Sequence, residues 1–360
     1  MKLVIDDKIP FMRGQAERLG TAVYLPGAAI TAADVRDADA LIVRTRTRCD
    51  ARLLEGSRVK FIATATIGYD HLDTAWLAQH GIAWTNCPGC NARSVAQYVE
   101  SALLLLQRAG RLSLNSSTTM AIVGVGHVGT QVALMARRLG VSLLLCDPLR
   151  LQGRGGVVEG SAAAGGIADA RCSATLADVC RQADIITFHT PLTRQGAEAT
   201  YHLASSDFFA RLERRPVLIN SSRGEVVDTA ALLNALNEGR VREAVIDTWE
   251  NEPAISRELL ARTFLSTPHI AGYSADGKAT GTRMALEAVA RFFGCDTTFR
   301  VEAPAVPAGF RYYPDAPDDA AASEPRLALY DPRRDSDALR RDPAAFERLR
   351  GDYPLRREHF

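Results

Sequence analysis

Lysine is almost missing from this chain of 360 residues: it stands only at Lys2, Lys8, Lys60 and Lys278, and arginine carries the rest of the positive charge. No functional class follows from that scarcity. There is no surplus of either sign, since 43 basic and 42 acidic residues leave a net charge of +1, which removes the electrostatic footprint of a nucleic-acid or membrane-surface partner. No apolar run approaches the roughly 20 residues of a spanning helix. The opening Met1-Lys2-Leu3-Val4-Ile5-Asp6-Asp7 reads as a strand ending in carboxylates, not as a secretory signal. A cytoplasmic protein is expected. Its seven cysteines (Cys49, Cys87, Cys90, Cys146, Cys172, Cys180, Cys295) are odd in number and scattered, which argues against a disulfide framework and for reduced thiols. The one CxxC, Cys87 to Cys90, has no partner pair to complete a four-ligand zinc site, and no metal is expected. It reads either as a redox pair at a helix start or as a fixed loop entering that helix, with Asn91 or Ser94 as cap; the loop is the reading taken.

Against these absences stands one dense motif. Ala121-Ile122-Val123-Gly124-Val125-Gly126-His127-Val128-Gly129 is an apolar run that breaks into G-x-G-x-x-G. In a dinucleotide cradle Gly124 makes the tight turn, Gly126 lets backbone approach a pyrophosphate, and Gly129 lets the next helix pack on the strand. Helical spacing follows from Gln131 to Leu139, then a second buried run ends in Asp147, spaced to grip a ribose 2'-hydroxyl. A carboxylate there repels a 2'-phosphate, so NAD is the expected cofactor, with Arg150 keeping NADP open.

Short apolar runs alternate with helical stretches throughout. Before the motif, Leu3 to Ile5, Ala40 to Val43, Phe61 to Thr64 and Ile82 to Thr85 read as strands, with Pro10 to Leu19 and His71 to His80 helical. A long helix, Ala92 to Leu106, shows Val95, Val99, Leu103 and Leu106 as one stripe. This is the pattern of an α/β protein with two doubly wound parallel-sheet domains, Rossmann-like or flavodoxin-like, whose ligands sit beyond the carboxyl ends of strands. If the strand Ala40 to Val43 continued, Arg44, Arg46 and Arg48 would share one side and Thr45 and Thr47 the other; a solvated edge is the plainer reading for Arg48. The run 152–166, rich in Gly and Ala, reads as a mobile surface loop.

Four successive strand ends deliver Thr190, Arg223, Glu252 and His269 to one rim. Together they suit the oxidation of a 2-hydroxy acid: Arg223 holds the carboxylate in its planar fork, and His269 takes the hydroxyl proton as hydride leaves. Glu252 accepts from the other ring nitrogen and fixes the imidazole.

The ordered set Gly124-x-Gly126-x-x-Gly129, Arg223-Gly224, Trp249-Glu250-x-Glu252-Pro253 and Thr267-Pro268-His269-Ile270-Ala271-Gly272 resembles the D-isomer-specific 2-hydroxyacid dehydrogenases. Narrower matches, at Ala63 to Asp73, Pro88 to Ala92, Cys146-Asp147-Pro148, Thr187 to Leu192 and His269 to Ser274, resemble one subgroup. That resemblance implies NAD-dependent oxidation of 4-phospho-D-erythronate on the way to pyridoxal 5'-phosphate. It places substrate contacts at Thr45, Thr66 and Tyr273 and cofactor contacts at Asp147, Thr190, Ser221, Ser222, Arg223, Asp247 and Gly272. A phosphorylated substrate also suits Arg44 and Arg46 beside hydroxyl-rich turns. The domains expected are a substrate domain, 1–98 with 270–295, a nucleotide domain, 99–269, and a C-terminal dimerisation region, 296–360, shorter than the subgroup's own and making a homodimer. Ala345 to Leu349 reads as a helix within it. Thr45 stands where the subgroup often has Ser. Two other readings use the same fold: a hydroxypyruvate reductase or phosphoglycerate dehydrogenase, and a non-enzymatic NAD-sensing scaffold, against which an intact Arg223, Glu252 and His269 argue.

Overall fold

The computed structural model describes residues 1–152, 172, 174–305, 325–354 and 356–358. The loop read at 152–166 therefore falls almost wholly outside the described residues. Two compact units form, Met1–Asn91 with Ser274–Val306, and Ala92–Tyr273 with Pro307–Phe360. Among the described residues no helix is long and apolar enough to cross a membrane.

The first unit is a parallel sheet of β1 (Lys2–Asp6), β2 (Thr21–Leu25), β3 (Ala40–Val43), β4 (Phe61–Thr64) and β5 (Ala83–Thr85), in the order β2-β1-β3-β4-β5. Side chains alternate along each strand and both faces are buried, so the runs read as continuously apolar. Leu3, Ile5, Ile42 and Phe61 pack with Leu286 and Val289 of the helix Ala275–Phe292. Val4, Leu41, Val43 and Ile62 face the other way, onto Val35, Leu53 and Leu77. Phe61 stacks on Phe292 at 4.6 Å between ring centroids.

Three features of this unit depart from the sequence pattern. Pro10 to Leu19 is not a helix: only Ala16–Arg18 makes a 3-10 turn, because Phe11 and Gly14 take positive φ (59° and 82°) and break the winding. The strand β2, which the pattern did not signal, sits at the sheet edge and is only half-buried. Nor does β3 continue past Val43. The chain turns, Thr47 N–H donating to Arg44 O at 3.1 Å, and the three arginines do not form an alternating row.

The second unit is also parallel, with β6 (Thr119–Val123), β7 (Ser142–Cys146), β8 (Ile185–Phe188), β9 (Val217–Asn220), β10 (Glu243–Ile246) and β11 (Leu265–Ser266) in the order β11-β10-β9-β8-β6-β7. The order reverses between β6 and β8, and the crevice beyond their carboxyl ends is where a doubly wound sheet takes its ligand. The glycine turn lies there.

The helix Ala92–Arg108 belongs wholly to the second unit, since one continuous helix is not divided at residue 98. It is buried nearly all round, beyond the single stripe its periodicity shows. Its polar side is covered by the C-terminal segment: Ser101 Oγ donates to Tyr330 O at 2.9 Å, Gln97 Nε2 to Arg357 O at 3.1 Å, and Arg326 Nη1 to Glu100 at 2.9 Å. Leu327, Tyr330, Leu339, Phe346 and Tyr353 sit in the second unit's cores. The segment 325–358 is thus built into the nucleotide unit, where the sequence suggested a separate region. The expected helix at its end runs Phe346–Gly351.

Candidate active site

The three glycines of the turn differ in what requires them. Gly124 holds φ +90°, and a Cβ on it would lie 2.7 Å from His189 O. A Cβ on Gly129 would lie 2.0 Å from Gly124 O, so the helix His127–Arg138 rests directly on the turn. Gly126 is different. It caps that helix at φ −79° and a Cβ there would meet nothing within 4 Å. Two of the three glycines are demanded by the protein's own packing, while the third leaves open space at a helix N-terminus, the feature that suits a pyrophosphate.

Asp147, beyond β7, uses its carboxylate locally: Oδ2 accepts the Val125 N–H at 3.0 Å and Oδ1 the Arg150 N–H at 3.2 Å. It ties the turn to the next strand end. On the same rim the hydroxyls of Thr190 and Ser221 are buried without a hydrogen-bond partner among the described residues. Buried hydroxyls left unmatched are costly, and a dinucleotide supplies the donors and acceptors to satisfy them. The residues present therefore fit NAD. Beside Thr190, His189 Nε2 lies 2.9 Å from Thr187 Oγ1, and burial pushes its pKa down to about 3. It is a neutral imidazole on the turn, a residue the sequence reading passed over although its motif was noted.

The catalytic candidates rise from three adjacent strands. After β9, Asn220 Oδ1 accepts from Ser222 N (3.2 Å) and Ser222 Oγ (2.9 Å), while its Nδ2 donates to Arg223 O at 2.9 Å. Arg223 Nη1 donates to Ser222 O at 2.8 Å. A Cβ on Gly224 would sit 1.9 Å from Trp249 O, so only glycine lets the Arg223 turn press against the loop that carries Glu252.

After β10 and β11 the loops lock onto Asp247. Its carboxylate accepts from Ile270 N at 2.8 Å, Ala271 N at 2.9 Å and Thr267 Oγ1 at 2.6 Å, and His269 N donates to Asp247 O at 2.8 Å. Burial pushes the Asp247 carboxyl up, against the charge of His269 and those three donors. The family resemblance implies a cofactor contact at Asp247; in the structure its oxygens accept from Thr267, Ile270 and Ala271 of the loop that leads to Gly272. His269 is held in the left-handed region at φ +57°, backbone strain of the sort that functional sites retain. Its Nδ1 lies 2.9 and 3.1 Å from the two oxygens of Glu252, and Oε1 also accepts the Trp249 N–H at 2.9 Å. Burial pushes the Glu252 carboxyl up, but the charge and hydrogen bond of His269, the Trp249 N–H and Arg350 together hold it below the usual carboxylate range. An ionised Glu252 keeps the proton on Nδ1 and leaves Nε2 as the nitrogen free to accept one.

Tyr273 ends the same loop, its hydroxyl 3.2 Å from Arg350 Nε. The other candidate substrate contacts lie in the first unit beyond β3 and β4. Thr45 and Arg46 are exposed on the turn and Arg44 Nη1 donates to Lys8 O at 2.9 Å. Thr66 Oγ1 donates to Gly68 O at 2.8 Å and accepts from Thr64 Oγ1 at 2.7 Å. Arg48 is exposed and paired with Asp50 at 3.1 Å. Cys87 is buried, its Sγ 3.2 Å from Gly281 O and its thiol pushed up to about 12 by burial, the opposite of a reactive thiolate. The Ser94 hydroxyl donates to Glu358 at 2.7 Å.

Residues 97–271 match the family model "D-isomer specific 2-hydroxyacid dehydrogenase, NAD binding domain". Over 99% of its length the chain is 50% identical to erythronate-4-phosphate dehydrogenase of Bacteroides fragilis, covering 97% of that protein, and 48% identical to that of Bacteroides thetaiotaomicron, again covering 97%. The D-lactate dehydrogenase of Aquifex aeolicus, solved with NAD and lactic acid, has the same fold: TM-score 0.65 at 20% identity, over 82% of this chain and 96% of that one. The chain therefore belongs to the erythronate-4-phosphate dehydrogenase family, within the D-isomer-specific 2-hydroxyacid dehydrogenases.

Proposed function

We propose that this NAD-dependent 2-hydroxyacid dehydrogenase oxidises 4-phospho-D-erythronate at C2, giving (R)-3-hydroxy-2-oxo-4-phosphooxybutanoate for pyridoxal 5'-phosphate synthesis. The observation that carries the chemistry is the His269 Nδ1–Glu252 contact at 2.9 Å, beyond the strands β10 and β11 of the sheet that also carries the glycine turn. Arg223 holds the substrate carboxylate and so fixes C2. His269 Nε2 takes the hydroxyl proton while Glu252 stabilises the imidazolium that results. NAD, when bound, accepts the hydride, held by the turn at Gly124, Gly126 and Gly129, by Asp147 and by the Thr190, Ser221 and Ser222 hydroxyls. Support for the phosphorylated substrate comes from the relatives' names and from Arg44 and Arg46, with Thr45, Thr66 and Tyr273 as further contacts. A homodimer built through the C-terminal region, in a reducing cytoplasm that keeps the seven cysteines free, completes the reading.

A panel of 4-phosphoerythronate and 3-phosphoglycerate with NAD, and hydroxypyruvate with NADH, tests it. The highest kcat/KM is expected on 4-phosphoerythronate; a preference for hydroxypyruvate would make the protein a general reductase. Light scattering at working concentration is expected to give twice the 39.0 kDa chain mass, and a single-chain mass would remove the dimer.

A further inference from the structure

The C-terminal segment reaches the catalytic loops at several points. Ser336 Oγ lies 3.1 Å from Ser266 N and 3.2 Å from Ser266 Oγ, Arg340 Nη2 donates to Thr263 O at 2.5 Å, and Arg356 Nη2 donates to Ala271 O at 2.5 Å. These bonds fasten β11 and the loop that follows His269. A further side chain goes beyond fastening. Arg350, only 16% exposed, places Nη1 3.6 Å from Glu252 Oε2 and Nε 3.2 Å from the Tyr273 hydroxyl. The Glu252 oxygen it approaches is the one 2.9 Å from His269 Nδ1. A guanidinium withdrawn from water is costly unless its charge is matched, and here it is matched by the carboxylate that orients the general base.

We propose that Arg350 is a positioning residue of the reaction: supplied by the C-terminal segment, it braces Glu252 against His269 and fixes the hydroxyl of Tyr273, so that this segment completes the active site. The proposal rests on the reading of His269 and Glu252 as the acid–base pair. Arg350 does not handle the substrate's proton; it limits where the carboxylate can turn. Without it Glu252 keeps the Trp249 N–H and His269 as partners but gains room to rotate, and the imidazole is less often aimed at the substrate. The charged or titratable groups around this contact are His269, Asp247 and Tyr273.

The test compares Arg350→Met and Arg350→Lys in the full chain. Turnover is followed across pH with 4-phosphoerythronate and NAD and with hydroxypyruvate and NADH, and NADH affinity is measured by fluorescence titration. Arg350→Met is expected to lose about tenfold or more in kcat on both substrates, with NADH affinity kept within about twofold. Its acid limb in kcat/KM is expected to rise by about one pH unit, because a carboxylate that loses a nearby cation takes up a proton more readily. Arg350→Lys, which keeps a charge, is expected to regain most of kcat. Wild-type kcat and pH profile in Arg350→Met overturn the proposal. So does a fall of NADH affinity in step with kcat, which would mark a structural role, or a loss confined to the phosphorylated substrate, which would make Arg350 a phosphate contact. If the wild type ignores 4-phosphoerythronate, the substrate assignment fails while the Arg350 effect is still read on hydroxypyruvate.

Discussion

At the residue scale the three glycines separate folding from binding. Gly129→Ala puts a methyl 2.0 Å from Gly124 O and is expected to cost about 3 kcal/mol of stability, seen as a lower denaturation midpoint. Gly126→Ala meets nothing within 4 Å and should fold within about 0.5 kcal/mol of the wild type. Its methyl would instead fill the space of the pyrophosphate, and KM for NAD is expected to rise about tenfold or more, roughly 1.4 kcal/mol. Equal NAD affinity in Gly126→Ala would remove the turn from the cofactor. Glu252 makes a second prediction. Because its folded carboxyl is held below the ordinary range, its contribution to stability is present above that range and lost as pH falls through the lowered value. Glu252→Gln should therefore be less stable than the wild type at neutral pH, with the gap closing below about pH 4, and slower by about two orders of magnitude in kcat. Thermal melts and turnover measured over the same pH series check both. These candidates were legible in sequence because spacing and residue type point to them. Arg350 was not, since an arginine in an Arg-rich segment looks like surface charge until the fold brings Glu252 beside it.

At the scale of elements, the best-read strands were β3 and β4, whose bounds were apparent from unbroken apolar runs flanked by polar turns. Elements fixed by tertiary partners were harder. β2 was passed over although four of its five residues are apolar; it is a half-buried edge strand, and Pro10 to Leu19 has helical spacing that two positive-φ residues cancel. The helix Ala92–Arg108 hid its second buried face because Gln97, Glu100 and Ser101 look solvated, whereas the distant C-terminal segment supplies partners for them. The loop after β11 depends similarly on one carboxylate. Asp247→Asn keeps the shape but replaces one accepting oxygen with a donor that faces a backbone N–H. The expected cost is about 2–4 kcal/mol together with loss of turnover, measured by urea unfolding and assay. Unchanged stability would mean the loop is held by its other contacts.

At the scale of the molecule, the second unit's dependence on residues beyond 306 distinguishes it from a unit with a detachable dimerisation module. A chain ending at residue 305 loses Leu339 and Phe346 from a core where each is fully buried. It is expected to unfold at a lower temperature and to lose NADH binding, as scanning calorimetry and titration would show; a truncated chain that still binds NADH as tightly would restore the modular picture. The first unit's discontinuity has a different consequence. Ribosomes deliver its five strands early, yet Leu286 and Val289, which cover one face of that sheet, emerge only after residues 92–273 of the second unit have been made. The nascent sheet stays sticky throughout that interval, a state prone to aggregation. Chaperone demand should concentrate there, and a recombinant 1–91 fragment needs the 274–305 stretch spliced to it to stay in solution.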